Sequence, residues 1–156
     1  MVLIFDKGLE INERLRGTYR SIYTPMDVKT MFLQITSKAK TIKNFLDINS
    51  SLNFLTTRIE GKLYIETVAM DSKIYGHVLY NIKNGTIDYY INFQDNNKEF
   101  FYLKAVKTIS LFGFTNSFLT LEGSIYNKLT HEKTADIHLA SDNKSLVDIF
   151  KNIKLK

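Results

Sequence analysis

The sequence contains no cysteine. That absence removes disulfides, thiolate nucleophiles and cysteine-ligated zinc or iron–sulfur centres together, and it leaves nothing that points to an oxidising compartment. There is one proline, Pro25, inside the turn-like run Tyr23-Thr24-Pro25-Met26-Asp27, so no Pro-rich linker divides the chain. The glycines lie scattered from Gly8 to Gly123, too far apart to let a backbone approach a pyrophosphate at a strand-to-helix turn. P-loop and HExxH motifs are missing. No apolar run approaches the ~20 residues of a spanning helix, and charge interrupts MVLIFDKG too early for the apolar region of a signal peptide. The expectation is a cytoplasmic protein carrying no flavin, haem or tightly bound metal.

What is present is a globular composition. Hydrophobic residues make up 44% of 156 residues and aromatics 13%, well outside the disordered range. A chain of this size buries roughly 70% of its unfolded surface as one domain, and residues 1–156 are read as one. The net charge of +5 permits an anionic partner without requiring one. A Lys, Asn and Ile bias of the kind AT-rich coding produces also accounts for it.

Alternation with period two predicts strands over Leu15–Ser21, Val28–Thr36, Leu52–Glu60, Lys62–Met70, Lys73–Lys83, Thr86–Gln94, Glu99–Lys107, Ser117–Asn127 and Thr134–Ala140. The fold class is mainly β: an antiparallel meander of about eight or nine strands forming a barrel or sandwich. Two short amphipathic helices interrupt it. Ser37 can cap one over Lys38–Ile48, with Ala39, Ile42, Phe45 and Leu46 as its apolar stripe. Ser141 or Asp142 caps the other, which carries Leu146, Ile149, Phe150 and Ile153.

Asn84-Gly85 suits a two-residue hairpin turn, because both residues tolerate positive φ. It would place Tyr80 opposite Tyr89 and Val78 opposite Ile91 on one face, and His77 opposite Asn92 and Leu79 opposite Tyr90 on the other. A symmetric turn at Asp95-Asn96-Asn97-Lys98 would set Phe93 against Phe100, Ile91 against Tyr102 and Tyr89 against Lys104. The second face is then half aromatic and half polar. Tyr75, His77, Tyr90, Asn92 and Phe101 on it are candidate ligand contacts. Lys104, on the core face, joins them as a cation that could meet an anionic head group or snorkel to the rim. Each has a plainer role as packing or a satisfied structural polar group.

Candidate acid–base groups are few: Asp136, His138, His77 and Glu122. Asp136 and His138 share a strand face, but that is also how a solvated face looks. No catalytic residues are assigned. Lysines are not gathered around Tyr90 and Phe101, so no nucleic-acid partner is expected.

Several stretches resemble the β-rich accessory segment found with bacterial flavin oxidoreductases of the glucose–methanol–choline type, the cholesterol-oxidase-like ones. They are Leu15-Arg16-Gly17, MFLQITSKAKTIKNFLDI, IYGHVLY, YYINFQDNNKEFFYLKAVKTI, TNSFLTLEGSIY and ADIHLASDNKSLVDIF, which together span nearly the full length. Lys107 matches the family's lysine. Ala105 stands where a glycine is common, and Phe114 where a tryptophan is expected. No flavin fingerprint accompanies the segment, so oxidase activity is not implied. The resemblance implies a stand-alone accessory or ligand-binding domain connected with sterol or lipid chemistry.

Two function classes follow. One is a non-enzymatic barrel that binds a hydrophobic, lipid- or sterol-like small molecule or supports a partner protein. The other is a peripheral module that uses the lysine-bearing helix Lys38–Ile48 and the Lys151–Lys156 tail on an acidic protein or, weakly, on an anionic membrane.

Overall fold

The computed structural model describes residues 9–39, 54–81, 85–108, 120–141 and 153–155. Eight long strands follow one another: β1 (Leu9–Ser21), β2 (Val28–Ala39), β3 (Phe54–Ile65), β4 (Ala69–Asn81), β5 (Thr86–Gln94), β6 (Phe100–Thr108), β7 (Thr120–Asn127) and β8 (Lys133–Ser141). Each pairs antiparallel with the next, and β1 pairs with β2 on one edge and β8 on the other, so the sheet closes into a barrel rather than stacking as a sandwich. A short β9 (Ile153–Leu155) adds to β1 beside Leu9–Ile11.

The expected break between Leu52–Glu60 and Lys62–Met70 does not exist, because β3 runs unbroken through Gly61. There a β-carbon would stand 1.8 Å from the Gln34 carbonyl oxygen. The glycine lets two backbones close up within a strand instead of ending it. The two expected helices fall chiefly on residues 40–48 and 142–152, outside the described residues. Lys38 and Ala39, expected to open the first, belong to β2, and Ile153, expected on the second, belongs to β9.

Both hairpin registers differ from expectation, with opposite consequences. Between β4 and β5 the last described pair is Asn81 with Thr86, so the connection spans residues 82–85 rather than two residues. Gly85 supplies positive φ, at 64°. A shift of two is one full pleat repeat, and the faces stay as expected. Between β5 and β6 the slip is one. The Asp95 N–H donates to the Glu99 carbonyl and the Lys98 N–H to the Asp95 carbonyl, both at 3.0 Å. Lys98 is left-handed at φ 64°. The Asp95 carboxylate accepts from the Asn97 and Glu99 N–H groups, both at 2.9 Å. Three loop residues therefore separate Asp95 from Glu99, and an odd loop turns every β6 side chain over. Phe93 faces Phe101, Ile91 faces Leu103 and Tyr90 faces Lys104.

The inward set builds one core, including Leu15, Leu33, Leu63, Ile91, Leu103, Leu121 and Leu139, each at most 1% exposed. Arg14, Arg16, Arg58, Glu60 and Lys62 face out. A membrane-spanning barrel carries its apolar set on the outside; this one is inverted. Among the described residues no helix is long and apolar enough to cross a membrane.

The end carrying the β1–β2, β3–β4, β5–β6 and β7–β8 turns is stitched by backbone bonds. The Glu66 N–H donates to Thr30, Asn96 to Val68, Lys128 to Phe100 and Ile22 to Thr134, at 2.8–3.0 Å.

Candidate functional site

Five of the six candidate residues come together, on the outer wall rather than in the interior. His77 (β4), Tyr90 (β5), Tyr102 (β6) and Tyr126 (β7) form a ladder with ring centroids 5.3, 5.4 and 5.1 Å apart and planes within 23° of parallel. Strand spacing of about 4.8 Å dictates this stacking. Lys104 lies over Tyr102 at 5.7 Å and Lys128 over Tyr90 at 5.9 Å. Asn92 donates to the Tyr75 carbonyl at 3.4 Å and accepts from the Lys128 ammonium. The Tyr102 hydroxyl bonds His131 Nδ1 at 3.1 Å.

Phe101 is the exception. The one-residue slip turns it inward, where its ring stacks on Phe93 at 5.7 Å. The same slip carries Lys104 from the expected core face to an exposed outer position.

Each inner ring of the ladder has a neighbour on both faces, so it offers solvent an edge and no face on which a ligand ring could stack. Asn92 has its partners within the wall. This arrangement stiffens four strands without needing a bound molecule. The acid–base candidates are similarly dispersed. His138 Nδ1 lies 2.9 Å from Glu122 on the outer face, with both side chains more than half exposed. Asp136 is taken by Lys133 at 2.7 Å and by the Ser124 hydroxyl at 3.0 Å. The Lys133 hydrogen bond chiefly holds the Asp136 carboxyl below its ordinary range. His77 belongs to the ladder.

The chemically unusual place is inside. Glu13 on β1 and Lys107 on β6 form an ion pair whose side chains are 11% and 4% exposed. The Tyr89 hydroxyl on β5 donates to the other Glu13 oxygen at 2.8 Å, and Lys107 lies 5.4 Å from the Tyr89 ring centre. In the closed strand order β1 stands opposite β5, so Glu13 reaches across the barrel. An eight-stranded barrel is just narrow enough for side chains from facing walls to meet.

Burial pushes the Tyr89 hydroxyl well above the ordinary phenol value, and the Glu13 charge adds to it. Tyr80 is pushed up to about 12, first by burial and then by Glu13. Ser37 and Thr57 lie close enough to the Tyr80 hydroxyl to pull the other way. The Thr57 hydroxyl nevertheless closes no hydrogen bond of acceptable geometry among the described residues, although Thr57 is only 5% exposed. Glu13, Ser37, Thr57, Tyr80, Tyr89 and Lys107 thus make a polar layer away from the turn end.

Residue reading by itself passed over this layer. A signal was available: Glu13 stands in phase with Ile11, Leu15 and Tyr19, and Lys107 in phase with Phe101, Leu103 and Ala105. Opposite charges in the apolar phase of two strands mark a buried pair. No protein-family model, curated protein or solved structure matches this chain.

Proposed function

We propose that the barrel is a non-enzymatic binding domain for a small amphipathic, lipid-like molecule. Its polar group would meet the layer of Glu13, Lys107, Tyr89, Tyr80 and Thr57 from the end opposite the four turns. The observation that carries this reading is a buried charged layer containing a hydroxyl, that of Thr57, which closes no hydrogen bond of acceptable geometry among the described residues. Desolvating such groups costs several kcal/mol per ion, and an unsatisfied buried hydroxyl costs about 1–3 kcal/mol. An apolar interior would hold the fold as well at lower cost. A ligand hydroxyl or carboxylate bonded at Thr57 would remove part of that cost. A lipid-like occupant is also what the sequence resemblance to the accessory segment of cholesterol-oxidase-like flavin oxidoreductases implies.

The test is Thr57→Val against a thermal-shift panel of fatty acids, fatty alcohols and sterols. The substitution removes the orphaned hydroxyl at nearly constant volume, so the ligand-free protein should be as stable as the parent or more so. The ligand-induced rise in Tm should shrink. No ligand response in the parent protein, or one that Thr57→Val leaves intact, removes the interior site.

A second reading, support of a partner protein, draws on the turn end. Met26 and Leu129 are 94% and 90% exposed, and Tyr23, Met70 and Phe100 are more than half exposed, so apolar side chains stand on or within two residues of each of the four turns. Asp27, Glu66, Asp95, Glu99 and Glu132 outnumber Lys98 and Lys128 in those turns, which favours a protein over an anionic bilayer. Replacing Met26 and Leu129 with serine should abolish partner capture and leave ligand-induced Tm shifts unchanged.

A further inference from the structure

The outer wall of β1–β4 differs from the aromatic ladder. Register pairs place Arg14 opposite Gln34, Gln34 opposite Lys62 and Lys62 opposite Lys73, one row across four strands. The next row runs Arg16, Phe32, Tyr64. Lys62 and Lys73 are like charges set directly across a strand pair, an arrangement that destabilises a sheet. None of the Arg14, Lys62 and Lys73 side chains has a hydrogen-bond or ion-pair partner among the described residues. Arg16 lays its guanidinium over Phe32 at 4.7 Å, and its N–H edges make no hydrogen bond or ion pair among the described residues.

Arg14, Arg16, Phe32, Lys62 and Tyr64 line a cleft of about 270 Å³ together with Gln34 and Asp71, and Lys73 stands outside it. Its far side is shaped by an irregularity. The β3–β4 register breaks between Leu63 and Ile65, so Tyr64 has no partner on β4. Asp71 beside it adopts a left-handed backbone at φ 48°. Bulges of this kind re-aim a side chain, and strained residues collect where a site needs them. The Phe32 and Tyr64 rings, 5.8 Å apart and tilted by 53°, do not cover one another as the ladder rings do.

We propose that this cleft binds an organic phosphomonoester bearing a planar ring, with a nucleoside monophosphate as the simplest case. A phosphomonoester concentrates close to two negative charges and three acceptor oxygens on one group, which suits a row of cations that repel one another. Arg14 and Lys62 take the phosphate, Gln34 between them donates to it, Tyr64 offers a ring face, and the Asp71 carboxylate accepts from sugar hydroxyls. The site lies on the outside of the barrel and stands or falls separately from the interior layer.

Isothermal titration of the full chain with adenosine 5′-monophosphate, adenosine and inorganic phosphate, beside thermal shifts, tests it. The monophosphate should bind and the other two should bind at least about tenfold more weakly, because each lacks one half of the site. Lys62→Gln should weaken the monophosphate about tenfold or more and yet raise the Tm of the ligand-free protein by relieving the Lys62–Lys73 repulsion. Tyr64→Ala should weaken the monophosphate while leaving inorganic phosphate unaffected. Equal binding of inorganic phosphate and nucleotide, or a nucleotide response that Lys62→Gln leaves intact, overturns the proposal. So does tighter binding to phosphatidic-acid vesicles or to a single-stranded oligonucleotide that the mononucleotide fails to compete away.

Discussion

Leu33, Leu63, Leu103 and Leu139 belong to the apolar core of the barrel, whereas Glu13 and Lys107, with the Tyr89 hydroxyl, meet one another as polar groups across the same interior. The first arrangement gains from every apolar surface it removes from water, at roughly 25 cal/mol per Å², and it tolerates small errors of position. The second gains only if each group finds its partner. Apolar packing thus favours closure in general, while the polar layer favours a single closure, in which β1 stands opposite β5 and β6. The contrast separates what stabilises the barrel from what specifies it, and substitutions on either side can break it.

The largest effect is expected at Glu13. Glu13→Leu strands the Lys107 ammonium and removes the acceptor of the Tyr89 hydroxyl, a loss of about 3–5 kcal/mol in urea unfolding. Adding Lys107→Met removes the stranded charge. The double variant should recover most of the loss and can exceed the parent in stability, as replaced buried pairs often do. Should the double variant stay as unstable as the single one, the layer would be an ordinary part of the core.

Leu33, 1% exposed, is the apolar counterpart. Leu33→Ala should cost about 2–5 kcal/mol, set by the cavity it leaves. It has no charged partner, so a second substitution at Lys107 should not rescue it, and the two effects should add. Strong coupling between Leu33 and Lys107 would show that the layers are not independent.

Alkaline unfolding sharpens the comparison by titrating one layer alone. Tyr80 is raised from 10.0 to about 12, and Tyr89 is raised as well. A phenol that holds its proton more tightly when folded contributes stability that is fully present below the unfolded pKa. That stability is lost as pH rises from about 10 through the folded value, because the unfolded chain gives up its proton first. At about 1.4 kcal/mol per pKa unit, Tyr80 accounts for at most about 3 kcal/mol. Tyr80→Phe should flatten stability between pH 10 and 12, measured as urea midpoints, and leave the region around pH 7 nearly level.

How much of this was legible in the sequence depends on parity. The meander, the strand centres and the faces of β4 and β5 follow from alternation, and they survive the two-residue misreading of the Asn84-Gly85 connection because a pleat repeats every two residues. The faces of β6 do not survive, because the Asp95–Glu99 loop is odd. Whether Asp95 uses its carboxylate to fold a three-residue loop depends on φ at Lys98, a position where glycine would have announced a left-handed turn and lysine does not. That single step moved Phe101 inside and Lys104 outside. The ladder was half legible, since Tyr75, His77, Tyr90 and Asn92 share a face either way, while Tyr102 needed the slip. The burial of Glu13 and Lys107 was legible in their phase, but that they meet each other required knowing that β1 closes against β8, a contact between the ends of the meander that no local pattern encodes.

The smallest effect is expected where the same kind of pair faces water. Glu122 and His138 sit opposite one another on β7 and β8, their groups 2.9 Å apart, and both side chains are more than half exposed. Water already solvates each group, salt screens their attraction, and fixing two side chains costs entropy, so exposed pairs contribute little. Glu122→Gln should change stability by less than about 0.5 kcal/mol, against the 3–5 kcal/mol expected at Glu13, and raising the salt concentration should shrink even that difference. The two carboxylates differ chiefly in their surroundings: the Glu13 side chain is 11% exposed and that of Glu122 71%. A Glu122→Gln effect as large as that of Glu13→Leu would mean that the β7–β8 wall is covered in solution, and that its exposed pair belongs to an interface.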